Sequence, residues 1–188
     1  LEHILYDMID RPYFVHEVMK FLETGYHKWL GQLEELNLLR LNNDNTYQAT
    51  GGNGYTTELP APGFDVDHPR PSDLWTFAMA QVFVGVSPAM HKEFELDYAQ
   101  DWAQRFGLVY YGCCEPLHNK VDIIRELPHV RKISMSPWID LDEAADGHHR
   151  PVAAAAHALV EAGHGAEGDE QVGPVGSLAP RLHQRDSA

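Results

Sequence analysis

Cysteine is almost missing from this sequence: the only two, Cys113 and Cys114, are neighbours. Adjacent cysteines rarely bridge each other, because the eight-membered ring is strained. A disulfide scaffold is therefore excluded, and free thiols fit a cytoplasmic protein. Basic residues are also scarce: 14 Lys and Arg stand against 28 Asp and Glu, a formal net charge of -14. Such a field repels phosphate backbones and anionic lipid, which argues against nucleic acid and membrane surfaces as partners. Acidity of this kind also favours solubility. Long hydrophobic runs are missing too. No apolar stretch reaches the roughly 18 residues a membrane span needs, because Asp65, Asp67, Asp73 and the segment from Glu93 to Asp101 interrupt each candidate. No basic start precedes an apolar stretch, so no signal peptide is expected. The chain opens at Leu1 inside amphipathic sequence, which reads as a processed or fragmentary N-terminus.

Aromatic residues are missing from one end. Every Phe, Tyr and Trp lies at or before Trp138, and from His148 to Ala188 there is no aromatic residue, Ile, Lys or Asn. Two organisational units follow: a folded unit over 1–147 and a low-complexity tail over 148–188. Val152 to Val160 reads as one Ala-rich helical stretch, and beyond Gly163 too little apolar surface remains to support folding. The tail is either naturally disordered or unrelated to the preceding domain, as after a change of reading frame, and no function is placed on it.

What is present alternates. Apolar residues at Phe14, Val15, Val18, Leu22, Tyr26, Trp29, Leu33 and Leu36 make a helical stripe over Pro12 to about Leu36, with Asp10 as its cap. Leu38 to Leu41 reads as a short buried strand entering a polar loop. Thr50 to Pro71 is a long Gly- and Pro-rich loop. Trp75 to Val86 reads as a strand followed by a short helix. Ser87-Pro88 is a helix start, and aromatic residues at four-residue spacing carry that helix to Gly107. Leu108 to Tyr111 is the next strand, His118 to Leu127 a helix, Lys132 to Ser136 a strand, and Leu141 to Ala145 a further helix. Such alternation predicts an α/β fold with parallel strands. A closed (β/α)8 barrel takes roughly 200 to 250 residues, so three or four units predict only part of one; the resemblance given below implies its C-terminal half.

Ligands of parallel α/β folds bind beyond the carboxyl ends of the strands. Polar residues directly after a predicted strand are therefore the candidates. Asn42, Asn43 and Asp44 form one cluster, Cys113, Cys114 and Glu115 a second, and Trp138 and Asp140 a third. Gln81 joins them if the segment before it is a strand. Cys113 is the sharpest candidate: a thiolate ahead of a helix N-terminus is activated as nucleophile or metal ligand, and thiolates suit zinc. A small buried thiol that only packs is the competing reading. Tyr55, in the long loop, belongs either to a surface hairpin or to a lid over the rim. His16, His27 and His91 are expected to be solvated helix residues, while His68 could reach a site.

Two linked motifs carry a resemblance. Ala80-Gln81 with Gly85-Val86-Ser87-Pro88-Ala89-Met90, and Tyr110-Tyr111-Gly112-Cys113-Cys114-Glu115-Pro116-Leu117 followed by Ile133-Ser134-Met135-Ser136-Pro137-Trp138, resemble the uroporphyrinogen decarboxylase-like superfamily, which includes cobalamin-dependent methyltransferases. The likeness spans about Asp10 to Ala145. It implies a TIM-barrel enzyme, most simply one that moves a methyl group between a corrinoid and a thiol. Cys113 matches the family's zinc-binding cysteine. Tyr111 replaces its histidine partner and no later cysteine exists, so Cys114 and Glu115 would complete a zinc site. On this reading Cys113, Glu115 and Asp140 are catalytic, while Asn42, Asp44, Tyr55, Gln81, Tyr111 and Trp138 contact a small-molecule substrate. The corrinoid is a substrate or rides on a partner protein. The alternatives are a metal-free decarboxylase of a tetrapyrrole or other polycarboxylate, and an inactive barrel fragment.

Overall fold

The computed structural model describes residues 2–44, 48–49, 52–79, 81–146 and 153–156. Two helices open the chain, α1 (Glu2–Asp10) and α2 (Pro12–Glu35). Asp10, expected to cap α2, closes α1 instead, and Arg11 stands between the helices with φ -142°. Pro12 suits the position after it because it has no N–H to leave unpaired. Asn37, at φ 52°, ends α2 in the left-handed region. The Leu38 N–H then reaches back to the Leu33 carbonyl at 2.9 Å, a helix-stop geometry that Asn tolerates.

The expected strand at Leu38 to Leu41 does not form. Leu39 is buried with Leu30, Leu74 and Phe106, but Leu38 is 56% exposed. A short apolar run also fits a segment that drops a single side chain into a core. The long loop carries a minimal antiparallel hairpin, β1 (Gln48–Ala49) with β2 (Gly52–Asn53).

The organising element is a parallel sheet. Strands β3 (Trp75–Ala78), β4 (Leu108–Tyr111) and β5 (Val130–Met135) pair in sequence order. Strand β6 (Ala153–Ala156) runs parallel beside β5. The expected helix over Val152 to Val160 is thus a strand where it is described: ladder bonds to β5 outweigh the local helix preference of alanine. The rest of 148–188 lies outside the described residues, as do His148, His149 and His164. The helical connection between β3 and β4 runs through α3 (Pro88–His91), a π-helical segment (Lys92–Leu96) and α4 (Asp97–Arg105). The Ser87 hydroxyl accepts the Met90 N–H at 3.2 Å and caps α3. Helices α5 (Val121–Ile124) and α6 (Leu141–Asp146) flank β5 in sequence.

Strand alternation sorts the side chains. Tyr111, Ile133 and Met135 face the helices and join Met8, Val15, Phe94, Leu117, Ile124 and Ala144 in the main core. Trp75, Phe77, Leu108 and Tyr110 share the other face, where Leu59 of the long loop covers them. Lys132 lies over the Trp75 ring on that face, 5.3 Å from its centroid. The fold is therefore mixed helix and strand around a small parallel sheet. No helix among the described residues is long and apolar enough to cross a membrane.

Candidate functional site

Strand β4 ends in Tyr111, and the chain turns at Gly112 with φ 96°. A Cβ there would lie 2.6 Å from Leu117 Cδ1 and 3.1 Å from Ser134 Cβ. Only glycine meets both demands. The turn delivers Cys113 to the carboxyl end of the sheet, where the Ser134 hydroxyl of β5 donates to the Cys113 carbonyl at 2.6 Å. The Cys113 N–H in turn donates to Glu115 Oε2 at 2.9 Å. Among the described residues Glu115 Oε1 has no hydrogen-bond partner, and Glu115 is 4% exposed; the Tyr110 hydroxyl is buried beside the Ser134 side chain. An unpaired carboxylate oxygen at that depth costs free energy, which makes Glu115 the candidate to meet a ligand or a water.

The two thiols stand together. Cys113 is buried, Cys114 is exposed, and their sulfurs are 3.4 Å apart. The hydrogen bond to Cys113, with smaller pushes from desolvation and from Glu115, holds the Cys114 thiol above the usual range. Burial pushes the Tyr110 hydroxyl up as well, so both groups keep their protons at neutral pH. Lys120 is buried nearby, within electrostatic reach of Glu115. Its ammonium donates to the Phe83 carbonyl at 2.7 Å and the Val84 carbonyl at 3.2 Å. Those bonds tie the loop after β3 to the loop after β4. Burial lowers the Lys120 pKa, and the charge of Glu115 opposes that shift.

The other predicted residues do not all converge here. Gln81 opens the short turn Gln81–Phe83 after β3 and is exposed. It is on the carboxyl side, as expected. Asp140 and Trp138 follow β5. The Asp140 carboxylate accepts the N–H groups of Asp142 and Glu143, both at 3.0 Å, and so caps α6. Trp138 is 72% exposed. Asn42 sits at the opposite end of the sheet. Its side-chain amide takes the N–H of Trp75 at 2.9 Å and donates to the Trp75 carbonyl at 3.0 Å, replacing a neighbouring strand at the first residue of β3. Asn43 donates to the Leu59 carbonyl and accepts from Thr56, with Asp44 exposed at the bend beside it. Tyr55 is exposed next to that tie, and Glu58 pairs with Arg131 near the start of β5. The loop carrying Tyr55 is therefore fastened at the amino end of the sheet, away from the Cys113 mouth.

Tyr111 also departs from expectation. It is wholly buried on the helix side, where its hydroxyl meets His91 Nε2 at 2.7 Å and donates to Glu95 Oε2 at 2.7 Å. His91, expected in solvent, is fully buried and stacks on Phe83 at 5.8 Å. His16 is half-buried, stacked 4.6 Å from Phe94 and bonded to the Tyr98 hydroxyl. Helix-wheel reasoning missed both because their partners, Phe94 and Tyr98 for His16 and Tyr111 for His91, stand on other segments of the chain. His68 pairs with Asp65 on the surface.

The donor set expected for zinc is Cys113, Cys114 and Glu115, two sulfurs and one carboxylate within a single turn. Glu115 turns one oxygen back to its own turn, and among the described residues no three His, Cys, Asp or Glu side chains converge to hold a metal ion. Zinc needs three or four protein ligands. Sequence reasoning missed Tyr110, Lys120 and Ser134. The available signal was the alternation of β4 and β5, which puts Tyr110 and Ser134 on the face opposite Tyr111 and Ile133. Comparison with known protein families, curated proteins and solved structures finds no match to this chain.

Proposed function

We propose that this chain belongs to a (β/α)-barrel enzyme of the uroporphyrinogen decarboxylase-like superfamily that transfers a methyl group from a corrinoid to a thiol, with its reacting centre at Tyr110, Cys113, Cys114 and Glu115. Parallel strands paired in sequence order, with helices packed on one face, support the barrel reading. The observation that carries the site is Glu115: a buried carboxylate with one oxygen held by the Cys113 N–H and the other unpartnered, beside two thiols.

In this reading the acceptor thiol gives its proton to Glu115 Oε1 and its sulfur attacks the methyl carbon. The carbon–cobalt bond breaks, and its electron pair stays with the corrinoid. Tyr110, kept protonated by burial, donates a hydrogen bond to the polar end of the substrate.

The test follows the absorbance change of methylcobalamin incubated with the protein and a small thiol. Demethylation is expected, with Glu115→Gln slowing it about 100-fold, the range of a lost general base, at unchanged thermal stability. Absence of transfer, or a Glu115→Gln variant as fast as the parent, overturns the reading. A decarboxylase of polycarboxylates is less well supported, because the Lys120 ammonium near Glu115 is already engaged by two carbonyls.

A further inference from the structure

A cavity of about 350 Å³ opens between α2, α4 and the end of β3. None of its lining residues belongs to the thiol cluster. Tyr26, Tyr98 and Trp102 supply aromatic walls, Glu23 and Glu95 supply carboxylates, His27 stands at the wall beside Trp102, and among the described residues no Lys or Arg lines it. We propose that this cavity is a binding site for a small organic cation, of the substituted-ammonium class.

The chemistry follows from the lining. Aromatic faces attract an alkylammonium through their quadrupoles and exclude water from its methyl groups. Carboxylates supply the opposite charge, and a chain carrying a net charge of -14 adds a favourable field. An anion would meet two carboxylates against one imidazole, His27, and a neutral apolar ligand would bury against charge.

The walls are held from behind. The Trp102 indole N–H donates to the Thr76 hydroxyl at 2.9 Å, and its ring packs on Phe106 at 5.0 Å. Tyr26 meets Trp102 edge-on, at 5.9 Å and 67°. The Tyr98 hydroxyl is bonded to His16 at 2.8 Å. Glu95 sits within the π-helical segment, and one of its oxygens, Oε2, takes the Tyr111 hydroxyl. That bond, with His91 Nε2 3.3 Å from the same oxygen, fixes a carboxylate that also lines the cavity. Such widened turns are frequent at functional positions. Here the turn explains how one residue can reach both the core and the cavity. Preorganised walls lower the entropy cost of binding.

The test is calorimetry on the full chain with choline and its neutral isostere 3,3-dimethyl-1-butanol. Choline is expected to bind about tenfold more tightly than the isostere, and more weakly as salt rises. Glu95→Gln keeps an acceptor for Tyr111 and is expected to weaken choline about tenfold while leaving the isostere unchanged. Glu23→Gln, further from the core network, is expected to do the same in smaller measure, and it serves if Glu95→Gln does not fold. Equal affinity for the two ligands, no binding of either at about 10 mM, or folded variants that bind choline like the parent would each overturn the proposal.

Discussion

Replacing Gly112 by alanine tests the geometry on which the thiol site depends. At φ 96° an L-residue brings its Cβ against its own backbone, which costs about 1–2 kcal/mol. The new methyl also lands 2.6 Å from Leu117 Cδ1 and 3.1 Å from Ser134 Cβ. Leu117 is completely buried, so it cannot swing aside without disturbing Val121 and Ile124 in the same core. Overpacking of this kind costs about 1–3 kcal/mol. Together the two effects predict a loss of about 2–5 kcal/mol, or a Tm lower by about 4–20 °C for a chain of this size. Urea denaturation of parent and variant, compared at equal slope, measures it. Gly25→Ala is the internal control. It lies inside α2, nothing stands within 4 Å of its added Cβ, and alanine there is expected to stabilise by about 0.5–1 kcal/mol. A Gly112→Ala variant that loses less than about 1 kcal/mol would refute the turn as described. So would two alanine variants of equal stability.

Two further expectations concern charge and access. Asp73, buried beside the amino end of β3, accepts the Arg70 guanidinium twice and the N–H groups of Arg70 and Ala61, so Asp73→Ala is expected to cost about 2–3 kcal/mol, less than a wholly buried pair because Arg70 is half in water. The Arg70 hydrogen bonds hold the folded Asp73 pKa below its ordinary value; its stabilisation is therefore complete above the unfolded value of about 3.9 and is lost as pH falls through the lower folded value, and urea midpoints that fall equally with acid in parent and Asp73→Asn would contradict this. Iodoacetamide is expected to label exposed Cys114 before buried Cys113, with a rate that keeps rising beyond the pH range of an ordinary thiol; peptide mapping that finds both cysteines labelled equally in the folded protein would contradict the placement.

Local pattern was enough wherever one segment carries its own instructions. Ser87-Pro88 caps a helix by its own chemistry, and Leu108 to Tyr111 reads as a strand because all four residues are apolar or aromatic and buried. The position of Cys113 after a strand was legible for the same reason. What sits around it was not. Glu115 folds back on Cys113 through a two-residue turn, and Lys120 reaches across to the loop after β3. Neither contact has a periodic signature. Asn42 lies at the opposite end of the sheet from the one its place after an apolar run suggests, because that run, Leu38 to Leu41, is not a strand. Its amide stands in for a strand instead of following one.

Composition and periodicity by themselves determined that this chain alternates helix and strand, places two free thiols at a strand end and carries excess negative charge, because each of these is a property of neighbouring residues. Only the tertiary structure decided which face Tyr111 takes, which of the predicted residues meet, and that Glu95 and Trp102 line one cavity. Those outcomes rest on contacts between segments far apart in the chain, whose energies depend on the final packing and not on any local run of residues.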